Sequence, residues 1–305
     1  MIAAMPTGPE HTPTMKIVYH LGLHCTDDEK LVTCLRANAP LLATEGIVVP
    51  DPDRYRSVLR DTMNATRGAG VSRETQETVL DAVMDEDEAD RLVFSNQAFL
   101  CKRQKVLSEG TLYPMAAEKV GWMAGLFPDH QVEFHFAIRN PATFIPALFE
   151  REKERDYTTF MDGIEPHRLR WSEMIGRIRA ALPKARLTVW CDEDTPLIWP
   201  DVLRAVSGHG DATMLAGTLE VLEPIISPEG LRRMTDYLTS HPPQTPAQHR
   251  RIVGAFFDKY VMEDALEMEL DLPGWDEEYV ETLTQLYDTD MVKISEMDGV
   301  TFIAP

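Results

Sequence analysis

Residues 15–31 read "MKIVYHLGLHCTDDEKL". An apolar, β-branched run over Lys16–His20 leads into Gly22, and a helical pattern starts a few residues later, so the stretch predicts strand, glycine turn and helix in succession. That succession puts a helix N-terminus just past the carboxyl edge of a sheet, where free backbone N–H groups and the helix dipole favour a phosphate or sulfate. The chemistry of the turn argues the other way. A phosphate loop keeps small residues so that the backbone can wrap the anion, and adds a lysine to neutralise it. Here only Gly22 is left, and Cys25, Asp27, Asp28 and Glu29 fill the turn.

Thr26-Asp27-Asp28-Glu29 spells a capping box, in which Thr26 accepts from the Glu29 amide while the Glu29 side chain returns to the Thr26 amide. On this reading the helix supplies its own anions. One unscreened carboxylate about 5 Å from a bound anion costs roughly 3 kcal/mol at an effective dielectric near 20, equivalent to about two decades in affinity.

Outward from this stretch, short β-branched runs alternate with longer helical patterns, which predicts crossover units around a mainly parallel sheet and therefore an α/β fold. Strands are expected at Lys16–His20, Ile47–Val49, Arg91–Ser95, Val132–Ile138 and Arg186–Trp190, and several are apolar on both faces, as buried parallel strands are. Helices are expected near 28–43, 73–84, 114–126, 142–150 and 167–182, the last stopped by Pro183. After about residue 197 the pattern is helical only, with Ser227 as a cap and Pro228 in the first turn of one helix. The expected organisation is a disordered arm over 1–14, an α/β domain over 15–210, and a helical extension over 211–305 packed on that domain.

Thirty basic against fifty acidic side chains leave a formal charge of −20, which repels nucleic acid and anionic membrane surfaces. No apolar run approaches the roughly 20 residues of a spanning helix, and "MIAAMPTGPEHTPT" lacks the basic start and apolar centre of a signal peptide. The expected location is the cytoplasm, with no nucleic-acid or membrane partner. Cys25, Cys34, Cys101 and Cys191 form no C-x-x-C pair and are read as reduced thiols. The acidic run "DEDEAD" at 85–90 is read as an exposed helix end, and Phe144, Leu148, Trp171, Trp190 and Trp199 as core.

The order "HLGLHCTDDEKL", "EGIVVP", "VFSNQAF", "FAIRNPATFIPALF" and "RWSEMIGRIRAALPKARLTVWCDED" resembles the bacterial branch of the sulfotransferases that use 3′-phosphoadenosine 5′-phosphosulfate, over about residues 15–210. The resemblance implies a three-layer P-loop-like fold and sulfuryl transfer to a hydroxyl or amine. In that family the first loop runs glycine, two variable residues, lysine, Ser or Thr, glycine and a hydroxyl residue. Gly22 and Thr26 match, while the lysine position is Cys25 and the second glycine and hydroxyl positions are Asp27 and Asp28. An arginine ending a later strand and a serine eight residues on would grip the 3′-phosphate; Arg139 matches the first and Ala147 replaces the second. The glutamate that resembles a general base is Gln97 here, and an amide takes no proton at neutral pH.

Two histidines on predicted strands, His20 and His135, are alternative bases, and His135 shares strand parity with Arg139. Two basic groups following predicted strands, Arg54, Arg56 and Arg60, and Lys102, Arg103 and Lys105, are candidates for attracting an anion at the carboxyl edge. Three readings stay open: a degenerate sulfotransferase-like protein with a binding or regulatory role toward a small-molecule or protein partner, a divergent active transferase using the sulfonucleotide, and a metal-assisted enzyme at His20, His24 and Cys25.

Overall fold

The structure, a computed structural model, describes residues 14–86, 88–152, 156–266 and 272–305. The arm expected over 1–14 therefore lies, apart from Thr14, outside the described residues. The sheet contains β1 (Lys16–His20), β2 (Ile47–Val48), β3 (Arg91–Ser95), β6 (Gln131–Ile138), β7 (Arg186–Cys191) and β8 (Val300–Ile303). Between β3 and β6, β4 (Leu107–Ser108) and β5 (Thr111–Leu112) make a separate antiparallel hairpin. In the large sheet the order is β2-β3-β1-β6-β7-β8, and every pairing is parallel. The fold is α/β.

Strand alternation divides the core into two layers. Ile17, Tyr19, Phe94, Phe134 and Phe136 point to one face, Val18, Val93, Ala137 and Trp190 to the other. The first face is covered by α3 (Pro52–Thr66), α4 (Arg73–Val83), α5 (Ala116–Gly125), α6 (Pro141–Glu150), α7 (Tyr157–Met161), α8 (Trp171–Ala181) and α13 (Glu277–Ser295). The second is covered by α1 (Lys30–Ala37), α2 (Ala39–Ala43), α9 (Thr195–Ser207), α10 (Pro228–Ser240) and α11 (Pro246–Tyr260), with the short α12 (Glu263–Leu266) after them. The aromatic and aliphatic residues assigned to the core, including Trp171, Trp190 and Trp199, are buried. Among the described residues no helix is long and apolar enough to cross a membrane.

Three expectations are corrected. The chain beyond 197 is not helical only: β8 joins β7 as the outermost strand, and α13 packs on α6 and α8. The helix expected near 28–43 is broken at Asn38 into α1 and α2, because Asn38 leaves helical geometry and its side chain bonds the Ala216 backbone instead. Residues 52–66, given no helix from sequence, form α3, with Asp51 capping the Asp53 amide and Pro52 in the first turn. Ser227 caps α10 by accepting from the Gly230 amide, with Pro228 beside it. Asp85, Glu86 and Glu88 are exposed after α4, and Asp87 lies outside the described residues.

Candidate functional site at the carboxyl edge

Chain direction reverses across the sheet between β1 and β6: from β1 the chain crosses toward β2 and β3, from β6 toward β7 and β8. Such a switch point opens a crevice at the carboxyl ends of the two strands. The loop after β1 sits there. Gly22 has φ +48°, and a Cβ on it would lie 3.5 Å from the Gln97 amide nitrogen and 3.5 Å from His20 Cε1. Those are ordinary contacts, so it is the left-handed turn, not crowding by the β3 loop, that favours glycine at position 22. Cys25, Asp28 and Glu29 are also left-handed.

The expected capping box does not form. Glu29, at φ 69°, is itself the residue preceding α1, and its carboxylate reaches Arg56 Nη2 at 2.6 Å. Thr26 turns back, its hydroxyl donating to the Leu23 carbonyl at 2.6 Å. Asp27 takes the place assigned to Thr26 and Glu29: its Oδ2 accepts from the Leu31 amide at 3.1 Å, and its carbonyl accepts from the Lys30 amide at 3.0 Å. A carboxylate of the chain therefore sits on the first turn of α1, and Asp27 is buried.

Besides Arg56, three arginines surround the loop. Arg139, just beyond β6, donates from Nη1 to the Cys25 carbonyl at 2.6 Å and from Nε to Thr143 Oγ1 at 3.0 Å. Its own carbonyl accepts from Trp171 Nε1 at 2.8 Å, which fixes the chain where it leaves the sheet. Arg151 forks onto both carboxylate oxygens of Asp28, at 2.9 and 2.8 Å. Arg103 meets the buried carboxylate of Glu152 at 2.9 Å. Burial, with Arg103 and Arg151 adding to it, pulls the His24 imidazole down to about 4. Burial pushes the Cys25 thiol up, although Arg151 and Arg139 oppose it.

The structure brings Gly22, Cys25, Thr26, Gln97 and Arg139 to one edge. Gln97 is exposed at the rim. Ala147 is buried in α6 among core side chains, where it offers no polar atom. His135 lies within β6, only 3% exposed, beside His20 in the strand register. Neither of its ring nitrogens has a hydrogen-bond partner, and the Glu133 carboxylate is 3.6 Å from Nε2. Burial holds the His135 imidazole below its ordinary range. Burial works upward on Glu133, yet His135 and Arg91 together hold it at about 2. His20 is also buried, with Nδ1 at 2.8 Å from Ser95 Oγ and its ring stacked on Trp190.

The metal reading does not survive this placement. His20 bonds Ser95, His24 bonds Tyr113 and the Cys25 side chain belongs to the core on one face of the sheet. Among the described residues no group of three or more His, Cys, Asp or Glu side chains is arranged to hold a metal ion.

Each of the two basic groups sends one arginine to the edge: Arg56, which pairs with Glu29 and with the Ser95 carbonyl, and Arg103, which acts on His24; Arg54 pairs with Asp85 instead. Asp192, in the turn after β7, escaped the sequence reading. It is half-buried, and burial pushes its carboxyl up to about 7, with Glu193 and Asp27 adding to the rise against Arg139 and Lys30. Its signal was the run "CDED" closing a predicted strand at the same edge as Gly22. Arg151 carried no signal, because only the fold brings it back across 123 positions to Asp28. No family model matches the chain, and comparison with curated proteins and with solved structures finds no match.

Proposed function

We propose that this chain is a sulfotransferase-like protein whose sulfonucleotide site is closed by its own groups, and that it acts as a binding or regulatory module without sulfuryl transfer. The observation that carries this reading is Asp27: its carboxylate already occupies the amide at the start of α1, where the family's loop would hold the 5′-phosphosulfate. The remaining requirements point the same way. Sulfuryl transfer develops charge that needs cationic and backbone donors free to meet it. Arg139 is committed to the Cys25 carbonyl, Arg151 to Asp28, and no lysine stands in the loop. Two of the base positions read from the sequence are also unsuited, since Gln97 takes no proton and His135 is enclosed in the sheet.

The parallel sheet with β1 between β3 and β6, and a glycine turn at the switch point, supports the sulfotransferase-like part of the proposal. A divergent active transferase is the second reading, favoured by Asp192, a carboxyl held at about 7 at the same edge, which suits proton transfer. Restoring the loop separates the two. The variant Cys25→Lys, Asp27→Gly, Ala147→Ser is expected to gain measurable affinity for adenosine 3′,5′-bisphosphate that the parent lacks. Sulfuryl transfer by the parent chain from 3′-phosphoadenosine 5′-phosphosulfate to a phenol or amine acceptor would overturn the proposal and favour the second reading.

A further inference from the structure

A second cleft lies at the opposite end of the sheet. Arg91, at the start of β3, donates to the Val206 carbonyl at 2.8 Å and to the Ala205 carbonyl at 3.1 Å, which fixes the last turn of α9 at the amino edge. Between that turn, the loop that follows it and the start of α11 is a cavity of about 370 Å³. That volume falls within the range of small-molecule sites.

His209 lines the cavity and is 6% exposed. The Ser207 hydroxyl donates to the Leu203 carbonyl at 2.8 Å, so its oxygen accepts from His209 Nδ1–H at 2.6 Å. With the ring proton held on Nδ1, Nε2 is a bare acceptor, and no described group donates to it. Arg204 lines the same cavity; among the described residues its buried Nε has no acceptor, and its Nη1 meets only Asp211, at 3.2 Å, a carboxylate whose side chain is 93% exposed. A pair with so exposed a partner adds little and is readily exchanged. Met214, 78% exposed, stands on the rim beside the apolar wall formed by Leu203 and Leu215.

We propose that this cleft binds a small organic carboxylate that also carries a hydroxyl or N–H donor and an apolar body. The carboxylate pairs with Arg204, whose planar fork matches it. The donor reaches His209 Nε2, and the apolar body covers Met214. A carboxylate suits the cleft better than a phosphate, because Asp201 and Asp211 line it as well: Asp201 is already neutralised by Arg250 at 2.8 Å, but Asp211, beside Arg204, would repel a second negative charge on the ligand. This site is independent of the reading of the β1 loop.

The test is ligand-observed saturation-transfer NMR on the full chain with three probes: 4-hydroxyphenylacetate, phenylacetate, which lacks the donor, and 4-hydroxyphenethyl alcohol, which lacks the carboxylate. The expected result is binding of 4-hydroxyphenylacetate at about 1 mM or tighter, and about tenfold weaker binding of the other two. Arg204→Met is expected to cancel the advantage of the carboxylate, and His209→Phe the advantage of the hydroxyl. Should His209→Phe fail to fold, the two truncated probes and Arg204→Met decide the matter. No binding of any probe up to about 10 mM, equal binding of all three, or binding that depends on added zinc would overturn the proposal.

Discussion

Asp27 stands where an anionic ligand stands at an open helix N-terminus, and it is covalently part of the chain. Removing it should therefore weaken the fold before it changes any chemistry. Asp27→Ala is expected to lower stability by about 1 kcal/mol through loss of the Leu31 amide bond, and Asp27→Asn by less, because an amide oxygen still accepts. Urea unfolding of the three proteins checks the order. Asp192 makes an opposite prediction. Its carboxyl has an ordinary value of 3.8 and is held at about 7 in the fold. Between those values the folded protein carries a proton there that the unfolded chain has lost, so stability falls as pH rises from about 4 to about 7. Asp192→Asn removes that slope, and the variant should be the more stable protein at pH 8 by roughly 2 to 4 kcal/mol, with the gain shrinking toward pH 4. Equal pH dependence of the two proteins in urea titrations would refute the assignment. His24 acts in the other direction: with its imidazole pulled down to about 4 from 6.5, the unfolded chain binds the extra proton between those values, so its contribution is lost as pH falls through them.

At the scale of elements, β1 and β3 fall where the sequence places them, because both are buried on two faces and their apolar runs are bounded by polar residues. The failures have physical causes as well. β8 is four residues long, half-exposed, and acquires its partner only when α13 returns the chain to β7. Helix α3 is rich in arginine and aspartate, so Tyr55, Leu59 and Met63 make a thin buried stripe. The capping box failed because local pattern says which side chains can cap and tertiary packing says which do: Glu29 is drawn to Arg56 on α3. A comparable long-range cap serves α8. Arg170, the residue before it, makes no side-chain cap, and Asp290 of α13, buried at 5% exposure, accepts from the Ser172 amide at 3.0 Å instead. Asp290→Ala is expected to cost about 1 to 2 kcal/mol and to loosen α13 from α8, which hydrogen exchange at the α8 amides would report.

For the whole molecule, a charge of −20 and a parallel sheet with its glycine turn at the switch point pull in different directions. The architecture offers an anion a place, while the side chains around that place are already neutralised against one another. The sequence made the emptied loop legible, through Cys25, Asp27 and Asp28 where small and basic residues would serve a phosphate. It did not make legible how the emptied loop is held, because Arg139 on the Cys25 carbonyl and Arg151 on Asp28 are contacts between residues more than a hundred positions apart. Calorimetric titration of the purified full chain with adenosine 3′,5′-bisphosphate tests the central claim most directly. The account predicts no binding heat up to about millimolar ligand, whereas binding at about micromolar concentration that disappears in Arg139→Ala would contradict it.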